Sequence, residues 1–259
     1  MSSTLLIALV LGLVIGALLG LFGGGGSILA VPALVYGINQ SLSVAVPTSL
    51  LVVGISSAAA VLPRLRHVQW RLAAVFGASG AVAAFAGTAV NRLLDPAIVL
   101  LGFAGVMVMA AARMLRSSDE VGGSCALPSG GVNWRSCLPK ATAAGVAVGS
   151  LTGLFGVGGG FLLIPALTLL LGLPMATATA TSLVVIVVNS AAGLTAHLGG
   201  ATFDIPTTAA FTATAVLGSL GAARLAPRLP GQELRRWFAY LVLAVAAYVT
   251  FQAVLDLIR

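Results

Sequence analysis

LLIALVLGLVIGALLGLFGGGG, residues 5–26, is an unbroken apolar run that ends in four glycines. A helix rises about 1.5 Å per residue and a bilayer core is about 30 Å thick, so the run fits one membrane helix. It is continuous rather than alternating, which excludes a barrel strand. Its end recurs in the chain: Leu21-Phe22-Gly23-Gly24-Gly25-Gly26 returns as Leu154-Phe155-Gly156-Val157-Gly158-Gly159, an offset of 133. At the same offset Gly12, Gly16 and Gly20 pair with Gly145, Gly149 and Gly153. Pro32-Ala33-Leu34 pairs with Pro165-Ala166-Leu167, and Thr48-Ser49-Leu50 with Thr181-Ser182-Leu183, without a gap. An internal repeat therefore organises the chain.

Composition agrees. Of 259 residues, 59% are hydrophobic and 7% charged, and the mean hydropathy is +1.11. A soluble domain carries about 25% charged residues, and a disordered chain is not this apolar. The reading is an all-α polytopic membrane protein, multi-pass in the cell inner (plasma) membrane. Residues 1–116 form a first membrane repeat, 117–140 a polar cytoplasmic linker and 141–259 a second repeat. Each repeat has five helical segments: 5–22, 27–38, 44–62, 72–91 and 97–116, then 141–155, 160–172, 177–198, 206–226 and 234–257. Segment 27–38 is too short to cross alone; it is either a short tilted crossing or one arm of a re-entrant hairpin. MSSTLLIALVLG has no Lys or Arg before the apolar run, unlike a secretory signal.

The net charge of +7 lies in short loops. It reads as a topology signal, not as a nucleic-acid surface. Loops 63–71 and 224–236 and the linker carry the arginines, so they are expected in the cytoplasm. Loops 91–96 and 199–205 are expected outside, with both termini. Loop 63–71 and its repeat partner 199–205 then lie on opposite faces, which predicts two inverted-topology repeats. Inverted repeats mark alternating-access transporters with a site near the midplane. Cys125 and Cys137 lack the histidines or further cysteines of a zinc site, and a cytoplasmic linker would keep them reduced.

The glycine runs should break their helices near the midplane. Broken backbone at that depth is tolerated only inside protein or beside a water-filled cavity. The half-helix starts so exposed, at Gly23, Gly24, Gly25, Gly26 and Ser27 and at Gly156, Gly158, Gly159 and Gly160, are candidate anion-binding groups. Plain close packing is the competing reading. No Lys follows GGGGS at P-loop spacing. Gly12, Gly16 and Gly20, with their partners, read as a small-xxx-small packing stripe. Thr48, Ser49, Thr181 and Ser182 are hydroxyl pairs, and Asn189 lies on one helical face with Ser182, seven residues on. Ser56 and Ser57 occupy the place of Asn189 and Ser190 in the first half. These side chains serve either a ligand or the backbone and neighbouring helices. His67 and His197 do not align; His197 aligns with Arg64. Each histidine reads as interfacial, with proton handling the functional alternative.

The six acidic residues, Asp95, Asp119, Glu120, Asp204, Glu233 and Asp256, all lie outside mid-span positions. Cation transporters and carboxylate proton relays need intramembrane acids, so an anionic or neutral substrate is expected. No HExxH or paired carboxylate suggests an enzyme. No cofactor or metal is expected.

LLGLFGGGGSILAVPAL and SLTGLFGVGGGFLLIPAL, each followed by TSL, resemble the TauE/SafE sulfite exporter family of membrane permeases. The resemblance covers both halves. It implies transport, most simply export, of small sulfur-containing anions such as sulfite or organosulfonates, coupled to protons. The second half reads GVGGG where the first reads GGGGS, so the two half-sites are chemically unequal. A passive anion channel on the same scaffold is the alternative. The expected partners are a small anion and the lipid bilayer.

The topology is checked by impermeant maleimide labelling of cells carrying single cysteines in a cysteine-free background. Asp204→Cys is expected to react from outside and Arg66→Cys is not; reaction at Arg66 alone reverses the orientation.

Overall fold

A computed structural model describes residues 3–91, 93, 96–116, 134–155, 160–197 and 204–258, and all regular structure among them is helical. The elements are α1 (Ser3–Phe22), α2 (Gly25–Pro32), α3 (Leu42–Val61), α4 (Trp70–Asn91), α5 (Pro96–Arg116), α6 (Trp134–Phe155), α7 (Gly160–Pro165), α8 (Met175–His197), α9 (Ile205–Leu225) and α10 (Gly231–Ile258). Among the described residues six helical stretches are long and apolar enough to cross a membrane: Leu5–Phe22, Val44–His67, Trp70–Gly87, Met175–Leu194, Ile205–Leu225 and Gly231–Phe251. Val82, Phe85, Leu217 and Phe251 are exposed on the outside of the bundle, as a lipid-facing surface requires.

The short segment is an arm that turns back. α1 stops at Gly23, whose φ of +68° is left-handed backbone that suits glycine. α2 then returns along α1: a Cβ at Gly26 would meet the Ile15 carbonyl at 2.5 Å and Leu19 at 2.6 Å, and Gly37 sits against Leu11. The pair forms a hairpin whose two ends lie toward the same end of the bundle. Pro32 and Pro165 close α2 and α7, and each is followed by a wide π turn, Ala33–Gly37 and Ala166–Leu170. Proline has no N–H and crowds the preceding turn; the wider turn relieves that crowding. Both arms end alike, with Gln40 N donating to Leu34 O (3.1 Å) and Leu173 N to Leu167 O (3.0 Å). Asn39 (φ +58°) and Gly172 (φ +67°) take the same left-handed place in the turn.

The glycine stripes set the helix pairs. A Cβ on Gly12 would run into Thr214 and the Phe211 carbonyl, on Gly16 into the Ala215 backbone, and on Gly20 into the Ser219 carbonyl. Numbers rise together, so α1 and α9 run parallel. α6 meets α4 the same way, with Gly145 on Ser79 and Phe76 and Gly149 on the Gly80 backbone. α3 and α8 lie antiparallel, Gly54 facing Ser190 and Gly193 facing Leu50. The packing reading of the stripes holds for these glycines.

The end of α3 meets the ends of α1 and α9 through Arg64, whose Nη2 donates to the carbonyls of Gly20 and Ala223. Arg66, Arg71, Arg224, Arg228, Arg235 and Arg236 gather at that end of the bundle. Cys137 is disulfide-bonded, which corrects the expectation of a reduced thiol; Cys125 lies outside the described residues. A disulfide belongs to an oxidising compartment, whereas the arginines at this end are the charge signal from which the sequence predicts a cytoplasmic face. The labelling experiment above decides between them.

Gly16→Ala is expected to lower the apparent Tm of detergent-purified protein, because the methyl has backbone against it and overpacking costs about 1–3 kcal/mol. Gly105→Ala, with open space around it, should leave Tm unchanged or raise it through helix propensity. Equal shifts would refute the close seat of α1 on α9.

Candidate substrate site at the paired helix breaks

The first break is built from α1, α2 and α8. Gly23 N donates to Leu19 O (2.7 Å), closing α1. A Cβ at Gly23 would meet Thr179 Cγ2 at 2.6 Å, Thr179 O at 2.8 Å and Ser182 Oγ at 3.0 Å, so α8 presses directly on the break. Gly24 caps α2 without a side-chain hydrogen bond. Ser27 Oγ donates to Gly24 O at 2.7 Å. Gly25 faces Phe238 and Leu241 of α10, and Phe22 packs tilted on Phe238 with centroids 5.6 Å apart.

The two short helices meet at their starts. A Cβ on Gly24 would run into the Gly160 carbonyl, and one on Gly160 would approach Ser27 Oγ at 2.6 Å. Gly160 and Ser27 are equivalent positions at the sequence offset of 133. The contact is too tight to hold an anion between Gly24 and Gly160, and close packing is the role these two glycines display. Gly156, Gly158 and Gly159 lie outside the described residues. α7 is buried throughout, and Phe161 meets Phe103 edge to face at 5.3 Å.

The hydroxyls divide into two groups. Some serve the backbone: Ser182 Oγ donates within 2.9 Å of both Gly23 O and Thr179 O, Ser49 Oγ donates to Val46 O at 2.8 Å, and Thr181 Oγ1 accepts from Gln69 N at 3.2 Å. Others are buried with no protein partner: Thr48, Ser56 and Ser57 on α3 and Thr179 on α8. Each can still donate. Asn189 is half-buried, whereas its neighbour Ser190 is the buried residue facing Gly54 of α3.

Sequence reading missed Thr179 and Arg64. In the sequence Arg64 reads as one of the loop arginines, yet it is only 6% exposed. The signal was available: Ser57, Ala60, Val61, Arg64 and Val68 repeat at helical spacing and all are buried. Its Nη1 is buried with no partner.

A bundle of apolar helices enclosing two short broken helices and a set of buried polar side chains is the build of a polytopic membrane transporter. The profile of the family described as Sulfite exporter TauE/SafE matches residues 8–249, and the chain belongs to that family. It is 32% identical over 261 aligned residues to a "Probable membrane transporter protein" of Xylella fastidiosa, covering 96% of each chain. A relative of the same description from Methanocaldococcus jannaschii is 31% identical over 73% of this chain and 71% of its own. "Probable membrane transporter protein YunE" of Bacillus subtilis is 29% identical over 74% and 77%. No solved structure matches the chain.

Ser182→Ala removes a buried hydrogen bond to the break and should cost about 0.5–1.5 kcal/mol of stability, read as a lower apparent Tm without ligand. An unchanged Tm would mean that Ser182 does not hold Gly23.

Proposed function

We propose that the protein is a secondary transporter, working as an exporter, for small sulfur-containing anions such as sulfite or organosulfonates. Two inverted repeats, residues 1–116 and 141–259 joined by the cytoplasmic linker 117–140, give it alternating access. The parallel seats of α1 on α9 and α6 on α4, and the antiparallel pair α3–α8, support the inverted arrangement. The family's description supports the substrate class.

One observation carries the reading: the hydroxyls of Thr48, Ser56, Ser57 and Thr179 are buried and unpartnered. Leaving such a group without a partner costs about 1–3 kcal/mol. An oxyanion repays that cost by accepting from several hydroxyls at once. α3 and α8 carry no acidic residue, so no carboxylate repels an anion or attracts a cation. Hydroxyl donors hold the ion without a tight charge pair, which leaves release accessible. The proton travels on the substrate, since sulfite exchanges a proton near neutral pH; a histidine relay at His67 or His197 is the competing route. No part of this mechanism is enzymatic.

Proteoliposomes test it. A transporter accumulates labelled sulfite against its gradient when a pH difference is imposed, whereas a channel only equilibrates it. Thr48→Val is expected to keep or raise the ligand-free Tm, because an unpartnered buried hydroxyl is removed. It should weaken sulfite binding by about 1–3 kcal/mol, roughly five- to more than a hundredfold. Unchanged affinity in Thr48→Val, Ser56→Ala and Ser57→Ala together moves the site away from α3.

A further inference from the structure

Arg64 sits where no ordinary loop arginine would. It is buried at the basic end of the bundle, and its Nη2 donates to Gly20 O in the last turn of α1 and to Ala223 O, 3.4 Å away, in the last turn of α9. Helix C-termini attract a cation, which accounts for one arm of the guanidinium. The other arm, Nη1, is buried with no partner. No carboxylate among the described residues pairs with Arg64; the nearest sources of negative charge on it are backbone carbonyls. Asp204 and Glu233 are exposed. A buried charge without a counter-ion is costly, and a guanidinium arm with two free N–H groups is a strong oxyanion donor.

A second, independent unpartnered donor lies at the same break. Thr179 is buried, its Oγ1 has no partner, and its methyl and carbonyl flank Gly23, three residues beyond the Gly20 carbonyl that Arg64 holds. Ala60, Val61 and Val68 pack with Ala180, Leu183 and Ala223 around this corner, so the surroundings are apolar and strengthen any charge interaction. The repeat partner of Arg64 is His197, so the second half places no permanent charge at the equivalent position.

We propose that Arg64 Nη1 and Thr179 Oγ1 form an oxyanion station at the basic end of the α1–α2 break, which selects doubly over singly charged anions. The inference rests on the anion-transporter reading above and adds a charged, one-sided component to it. The hydroxyls of α3 bind without a net charge, whereas Arg64 binds through one. The station therefore discriminates by charge, and only at one end of the pathway.

Calorimetric titration of purified protein with sulfite and with methanesulfonate, at alkaline pH, tests it, since sulfite is then a dianion and methanesulfonate a monoanion. Arg64→Gln removes the charge while leaving a polar side chain in its place. It should weaken sulfite binding by about tenfold or more while changing methanesulfonate far less, which compresses the ratio of the two affinities. Thr179→Val should weaken both anions by about fivefold or more at an unchanged or higher Tm. A purely structural Arg64 lowers both affinities in proportion and overturns the proposal, as does wild-type affinity in both variants. If Arg64→Gln does not fold, Arg64→Lys and Thr179→Val carry the test: Lys retains the charge preference, and loss of affinity in Thr179→Val is still required. Wild-type protein that binds neither anion removes the sulfur-anion reading itself, and this is seen before any variant is made.

Discussion

Breaking a helix inside a membrane frees backbone groups that lipid cannot satisfy. The architecture around Gly23 answers that constraint one carbonyl at a time. Gly20 O receives the Arg64 guanidinium, Gly23 O receives Ser182 Oγ, and Gly24 O receives Ser27 Oγ. These groups come from the end of α3, from α8 and from α2. The break thus fixes the mutual positions of three helices that no hydrophobic force would bring together in lipid, where apolar side chains gain nothing by leaving the bilayer. The glycine stripes supply the rest, by letting backbones touch along α1–α9 and α4–α6.

This explains what the sequence made legible. The helical class and the packing role of Gly12, Gly16 and Gly20 follow from spacing alone, and the structure bears them out. The sequence leaves Thr181, Ser182 and Ser49 open to a ligand or to the backbone, and their oxygens serve Gln69, Gly23 and Val46. Spacing places a hydroxyl on a helix face but does not reveal which backbone group that face will meet. Arg64 misled for a related reason. A charge just past an apolar run reads as solvated, unless the run's periodicity is followed beyond Pro63 into the turn Leu62–His67. The π turns after Pro32 and Pro165 left no sequence mark beyond the prolines themselves. In helices apolar on every side, the pattern does not separate the face that meets lipid from the face that meets protein.

The same pairs constrain how the molecule can move. Each glycine-lined seat joins a helix of residues 1–116 to one of residues 141–259. Rocking these halves as rigid bodies would part α1 from α9 and α4 from α6, where Cβ-less backbones lie against one another. Dense contact of that kind has little slack, because packed interfaces switch between discrete states rather than deform. α3 and α8 are different: they carry the buried, unpartnered hydroxyls of Thr48, Ser56, Ser57 and Thr179. α3 and α8 meet through looser contacts than those seats, a Cβ at Gly54 standing 3.1 Å from Ser190 and one at Gly193 standing 3.2 Å from Leu50. The buried donors and the looser contact thus fall on the same two helices, whereas the broken arms α2 and α7 are held backbone to backbone where Gly24 meets Gly160.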